Sequence, residues 1–311
     1  MKVRVPNRAF SKNKKLKALL FKEYPDSEIN VDGKRYESHE LVNFLSGAEA
    51  AIVGLELIDA TLLDQLPNLK IIAKYGVGLD NIDLEACKLR GVKVGWEPGV
   101  NKRSVAEMAV GFMLALSRNL YITSNQLKKL VWNKNGGYQL SDKKIGIIGL
   151  GNIGKEVITL LKPFGCDFLV NDIIDVEDFA KTNKLKLCSK DEIYQYSDII
   201  SVHTPLTPET TNLFNEKTFT LMKTSAFLIN TARGEIVNQA HLKSALQNHL
   251  IAGAALDVYD VEPPIDEKFL TLSNLICTPH TGGNSYEAVV NMGKSAINHL
   301  TEYSKKTYAN E

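Results

Sequence analysis

Cysteine is scarce: Cys87, Cys166, Cys188 and Cys277 are all there are, and no two have CxxC spacing. That excludes a disulfide-framed fold and a thiolate metal site, so the thiols are expected to be reduced core residues and no metal is expected. An excess of charge of either sign is lacking too. With 37 Lys and Arg against 36 Asp and Glu, no net field draws the chain to nucleic acid or to an anionic membrane. No apolar run approaches about 18 residues, and the opening MKVRVPNRAF has no secretion-signal core. A cytoplasmic protein with a small-molecule partner, no nucleic acid and no membrane is the expectation. The one basic cluster, Lys12, Lys14, Lys15 and Lys17, has no interleaved aromatics and reads as a solvated helix face.

What is present begins with IGIIGLGNIG, Ile145 to Gly154. Ile145, Ile147 and Ile148 make a β-branched strand, Gly149 permits the tight exit turn, and Gly151 lets backbone approach a pyrophosphate. Gly154 then seats a new helix on its strand, with free N–H groups at Asn152 and Ile153 facing the phosphates. A second strand, DFLVND, ends in Asp172, eighteen residues after Gly154 and placed to bond a ribose hydroxyl. In this strand–turn–helix–strand context the glycines form a dinucleotide-binding fingerprint.

The length, 311 residues, allows two domains. Before the fingerprint, AAIVG (50–54), LKIIAK (69–74) and VKVG (92–95) alternate with helical stretches at 38–45 and 83–89, which predicts a smaller parallel-sheet domain. EPGVN (97–101) has the Pro and Gly of a hinge. Ser104, three residues before Glu107, is expected to N-cap a helix reaching about Leu116. After the fingerprint, DIISVH (198–203), AFLINT (226–231), AGAALDV (252–258) and LICT (275–278) are spaced for crossover helices, one of them containing Ala240, Leu242, Ala245 and Leu246. The expectation is an α/β protein of two domains. A Rossmann-type doubly wound parallel sheet over 101–281 would bind the dinucleotide, and a flavodoxin-like discontinuous domain, 1–100 plus 282–311, would bind substrate, with the active site in the cleft.

NTARGEIV (230–237), ALDVYDVEPP (255–264) and TPHTGG (278–283) resemble segments of the NAD-dependent D-isomer-specific 2-hydroxyacid dehydrogenases. YGVGLDNID (75–83), PGVNKRSVAE (98–107) and HTPLTPETTNL (203–213) extend the resemblance over most of residues 70–290 in the family's order. It implies NAD as cofactor and Arg233, Glu262 and His280 as the catalytic trio. Chemistry agrees: a base must take the hydroxyl proton as hydride leaves carbon 2, and an imidazole titrating near neutrality serves both directions. A carboxylate at Glu262 would orient that imidazole and stabilise its protonated form. The Arg233 fork would bind the substrate carboxylate without losing charge.

The resemblance also places Thr204, Pro205, Thr231, Ala232, Asp257, His280 and Gly282 around the nucleotide, with Asp257 accepting from the carboxamide. It gives Lys74, Tyr75, Gly76, Val77 and Gly78 to the substrate, as a backbone nest for its carboxylate; a plain strand-to-helix turn is the alternative. Two positions depart from the family pattern: Lys74 and Asn152 stand where many members have Arg. Trp132 lies in a stretch similar to the family's dimerisation arm, implying a homodimer, and otherwise reads as a core aromatic. A short form with no regulatory domain, acting on 3-phosphoglycerate, is the expected substrate branch, with Lys74, Lys102 and Arg103 as candidate partners of the phosphate. A same-fold corepressor that senses NAD without turnover stays open. An adenosyl-methionine methyltransferase would explain the glycine loop, but neither NTARG nor TPH.

Overall fold

The structure, a computed structural model, describes residues 1–308. It divides into two compact units, one made of Met1–Asn101 and the segment from Asn284 onward, the other of Lys102–Gly283.

The first unit has β1 (Val3–Val5), β2 (Glu28–Ile29), β3 (Ala50–Val53), β4 (Ile71–Lys74) and β5 (Lys93–Gly95), all parallel in the order β2-β1-β3-β4-β5. That is the flavodoxin-like order. Period-two alternation decides which face each residue buries. Val3, Val5, Ala50, Ile52, Ile71 and Ala73 enter one core, while Ala51, Val53 and Ile72 enter the core on the other face. The helix Tyr286–Tyr308 completes the first of these cores with Met292, Ala296, Ile297 and Leu300. Its close seat depends on Gly293, where a Cβ would lie 2.4 Å from the Leu16 side chain. The basic cluster falls on the helices Arg8–Lys12 and Lys14–Glu23, where Lys14 and Lys15 are exposed and Leu16 and Leu20 are buried.

The second unit has β6 (Lys144–Ile148), β7 (Asp167–Asn171), β8 (Lys186–Leu187), β9 (Ile199–Val202), β10 (Phe227–Asn230), β11 (Gly253–Leu256) and β12 (Leu275–Cys277), ordered β12-β11-β10-β9-β6-β7-β8. The order reverses between β6 and β9, the switch point outside which open α/β sheets bind ligands. Ile145, Ile147, Ile199 and Ile229 face one core; Ile148, Ile200, Val202 and Leu228 face the other. Buried on both sides, these strands are continuous apolar runs, as parallel sheets require.

Three sequence expectations are corrected. Ser104 is not an N-cap: the helix runs Lys102–Ser117, and the Ser104 hydroxyl donates to the Gly282 carbonyl at 2.6 Å. Trp132 is no core aromatic, being 76% exposed. All four cysteines are free, but only Cys87 and Cys188 are buried. Among the described residues no single helix is long and apolar enough to cross a membrane.

Candidate active site

Arg233, Glu262 and His280 follow the carboxyl ends of β10, β11 and β12, three neighbouring strands held in register by Asn230↔Leu256 and Leu256↔Cys277. Local chemistry sets each one. After β10, the buried Asn230 side chain accepts from the Ala232 N–H at 3.0 Å and donates to the Arg233 carbonyl at 2.7 Å, closing the turn that presents Arg233. Gly234 is obligatory there, since a Cβ would sit 1.9 Å from the Tyr259 carbonyl carbon. The turn after β10 therefore lies directly on the turn that leads to Glu262. The Arg233 guanidinium is anchored in part by its own neighbour, donating from Nη1 to the Ala232 carbonyl at 2.7 Å.

Glu262 is held at both oxygens. Oε1 accepts from the Tyr259 N–H at 3.1 Å, and Oε2 meets His280 Nδ1 at 2.8 Å. The pair is partly exposed, at 37% for Glu262 and 47% for His280, so it is open to a ligand. His280 has φ 52, a left-handed conformation uncommon for a side chain with a Cβ. What maintains it is Asp257. That carboxylate, 1% exposed, accepts from Thr278 Oγ1 at 2.5 Å, the Thr281 N–H at 2.8 Å and the Gly282 N–H at 2.6 Å, while its carbonyl accepts from the His280 N–H at 2.8 Å. Tyr259 adds a hydroxyl bond to the Thr278 carbonyl at 3.0 Å. Burial pushes the phenol of Tyr259 up, keeping it a neutral donor. Sequence reasoning missed Asn230, Tyr259 and Thr278 as supports, although each lies inside a motif already singled out.

At the switch point the glycine turn has two kinds of glycine. A Cβ on Gly149 (φ 95) would lie 2.6 Å from the His203 carbonyl carbon, and one on Gly154 would lie 2.2 Å from the Gly149 carbonyl oxygen; both are required by the fold. Gly151 differs, because a Cβ there would meet nothing within 4 Å. It caps the helix Asn152–Leu161 without any side-chain bond, so the cap leaves the N–H groups of Asn152 and Ile153, in the exposed start of the first turn, uncovered by any side chain of its own. Asp172 Oδ2 accepts from the Leu150 N–H at 2.5 Å, and Oδ1 from Ile173 and Ile174, which fixes the carboxylate at the end of β7 with lone pairs remaining. The hydroxyls of Thr204 and Thr231 are buried with no hydrogen-bond partner. Orphan hydroxyls, a side-chain-free glycine and an uncapped helix end are what a bound dinucleotide would satisfy. Pro205 is exposed beside Thr204, Ala232 is buried beside Thr231, and Gly282 is tied to Asp257. His203 bonds Ser201 through Nε2 at 2.9 Å, and burial pushes its imidazole down to about 3.

In the first unit, Lys74 is buried at 5% and donates from Nζ to the Gly54 carbonyl and to Asn81 Oδ1, each at 2.5 Å. The segment Tyr75–Gly78 follows β4, with Gly76 at φ 146 and the Val77 carbonyl accepting from Trp96 Nε1 at 2.7 Å. Lys102 and Arg103 open the helix Lys102–Ser117 and pair with Glu156; Arg103 also pairs with Glu107. Among the described residues no group of three or more His, Cys, Asp or Glu is arranged to hold a metal ion.

The sequence profile of the D-isomer specific 2-hydroxyacid dehydrogenase NAD-binding domain matches residues 110–282. A hydroxypyruvate reductase from Thermotoga maritima is 36% identical over 272 residues, covering 86% of this chain and 88% of that protein. A D-3-phosphoglycerate dehydrogenase from Bacillus subtilis is 37% identical over 246 residues, 78% of this chain but 47% of that longer protein. The crystal structure of D-lactate dehydrogenase from Aquifex aeolicus, complexed with NAD and lactic acid, superposes with a TM-score of 0.84 at 27% identity, covering 99% of this chain and 97% of that one. Two doubly wound sheets, a fitted dinucleotide turn and these matches agree, and the chain belongs to the NAD-binding D-isomer-specific 2-hydroxyacid dehydrogenase family.

Proposed function

We propose that the chain is an NAD-dependent dehydrogenase interconverting a D-2-hydroxy acid and its 2-oxo acid. The observation that carries the reading is the 2.8 Å pairing of His280 Nδ1 with a twice-anchored Glu262, beside an arginine presented by the same edge of the sheet. NAD, when bound, supplies the hydride acceptor or donor for carbon 2. Glu262 accepts from Nδ1–H and so fixes the tautomer in which Nε2 takes the hydroxyl proton, then stabilises the imidazolium that results. Arg233 grips the substrate carboxylate and polarises the oxygen on carbon 2. Thr204 and Thr231 bond the nucleotide, Asp172 accepts from the ribose, and Gly151 with the N–H groups of Asn152 and Ile153 takes the pyrophosphate. Asp257 accepts from the carboxamide only through lone pairs left by Thr278, Thr281 and Gly282, so its larger role is to set the backbone of His280.

For the substrate, the two named relatives support a three-carbon acid, glycerate or its 3-phosphate. Tyr75–Gly78 receives the carboxylate, with Lys74 holding that turn through Gly54 and Asn81. A homodimer belongs to the same reading. The segment from Leu120 to Tyr138 exposes Leu120, Leu127, Leu130, Val131, Trp132 and Tyr138, an apolar strip that a second copy would cover. The four free thiols suit a reducing, cytoplasmic setting, which cell fractionation would check. The deciding assay is NADH oxidation with a panel of 2-oxo acids. Turnover of at least one supports the enzyme; tight NADH binding with no turnover of any supports a non-enzymatic NAD sensor instead.

A further inference from the structure

The carboxyl end of the first unit's sheet has an uneven chemistry. The loop after β3 is anchored from four directions: Gly54 N–H donates to Glu56 Oε2 at 2.6 Å, the Gly54 carbonyl accepts from Lys74 Nζ and from Asn81 Nδ2, and the Glu56 carbonyl accepts from Asn81 Nδ2 at 2.5 Å. Asn7 closes the remaining side, donating to Glu56 Oε1 at 3.4 Å. This loop adjoins the Tyr75–Gly78 turn, because Val53 pairs with Lys74 and a Cβ on Gly54 would be 3.6 Å from the Tyr75 carbonyl oxygen. The Glu56 carboxylate is thus fixed one strand away from the turn, and it is only half-buried.

The one lysine of these segments is buried, its ammonium shared between Gly54 and Asn81. The loops after β3, β4 and β5 carry the carboxylates Glu56, Asp80 and Glu97, interspersed with the exposed Leu55 (78%), Leu57 (57%) and Trp96. The neighbouring end of β1 brings a single exposed cation, Arg8. We infer that Glu56 is a specificity-determining residue: it rejects a second anionic group on the substrate, so the acid this chain takes is monoanionic, with an uncharged substituent on carbon 3. This rests on the reading of Tyr75–Gly78 as the carboxylate nest. A like charge fixed one strand away from the turn disfavours a phosphate or second carboxylate, because the cation at the end of β4, the Lys74 ammonium, is buried and bonded to the Gly54 carbonyl and Asn81.

The test compares two pairs of substrates at saturating NADH: hydroxypyruvate against 3-phosphohydroxypyruvate, and 2-oxobutyrate against oxaloacetate. The wild type is expected to favour the uncharged member of each pair by about tenfold or more in kcat/KM. Glu56→Gln keeps an oxygen for the Gly54 N–H and should narrow both ratios several-fold through KM of the charged member; Glu56→Arg should narrow them further. Raising the salt should narrow the wild-type ratios as well, a readout that needs no variant. A wild type that prefers the charged members, above all if Arg8→Ala abolishes that preference, overturns the inference, and so do ratios that neither salt nor Glu56→Gln moves. Quenching of bound NADH fluorescence by the same four acids gives the ratios as affinities. If no acid turns over, the dehydrogenase reading fails, while the quenching ratios still decide the role of Glu56.

Discussion

His280 combines an unusual backbone conformation with the Glu262 carboxylate as partner, and its replacement separates chemistry from binding. With alanine at 280 the Glu262 Oε2 loses its imidazole and the proposed proton carrier is gone, so kcat should fall on the order of a hundredfold or more while NADH affinity, read by fluorescence, changes little. Retention of more than half the wild-type rate would remove His280 from the mechanism. His203 behaves differently. Its burial holds the imidazole near 3, against about 6.5 for a free histidine, so the unfolded chain binds a proton there that the folded chain refuses. Stability from this residue is complete above about pH 6.5 and is lost as pH falls toward 3, by about 1.4 kcal/mol per pH unit. Urea unfolding over that range should give a shallower slope for His203→Gln; equal slopes would show that the imidazole does titrate in the folded protein.

Among the elements, the helix Asn152–Leu161 and its glycines give the sharpest contrast. Gly151→Ala should leave the melting temperature nearly unchanged, since no protein atom lies within 4 Å of the added Cβ, yet weaken NAD binding at least tenfold by standing where the pyrophosphate approaches. Gly154→Ala should damage both, its Cβ falling 2.2 Å from a carbonyl oxygen. Equal loss of stability in the two variants would refute the distinction. At the end of β7, Asp172 with Ile173, Ile174 and Asp175 offers no cation to a 2′-phosphate, so kcat/KM with NADP should be far below that with NAD, and Asp172→Ser should close much of the gap. Equal efficiency with both cofactors in the wild type would defeat this. These strands and turns were legible because apolar β-branched runs and glycine spacing are local signals. Ser104 was misread because its hydroxyl partner is the Gly282 carbonyl, 178 residues away. The supports of His280 escaped for the same reason, since Asp257 and Thr278 meet only when β11 and β12 are paired. β1 and β2, at three and two residues, are too short to show a period.

Across the whole molecule, the exposed strip around Trp132 argues for association. Val131→Glu combined with Trp132→Glu should halve the mass measured by light scattering at micromolar concentration without lowering helical content; an unchanged mass, or a wild type already monomeric, would show that the strip does not bind a second copy. A cavity of about 550 Å³ lies along this segment at the amino-terminal edge of the second sheet, lined by Leu116, Tyr121, Tyr138, Asp198 and Phe227. It is at the opposite end of the strands from Arg233, Glu262 and His280. The helix Tyr286–Tyr308 has one more consequence, in time. Val3, Val5, Phe10 and Leu16 share their core with Met292, Ala296, Ile297 and Leu300, so a nascent chain emerging from the ribosome cannot finish its first hundred residues when they appear. At about 5–20 residues per second they wait on the order of ten seconds or more, half-built and with apolar surface exposed, while Lys102–Gly283 is made and folds ahead of them. The nucleotide-binding half is thus the first to be finished, and the amino terminus among the last.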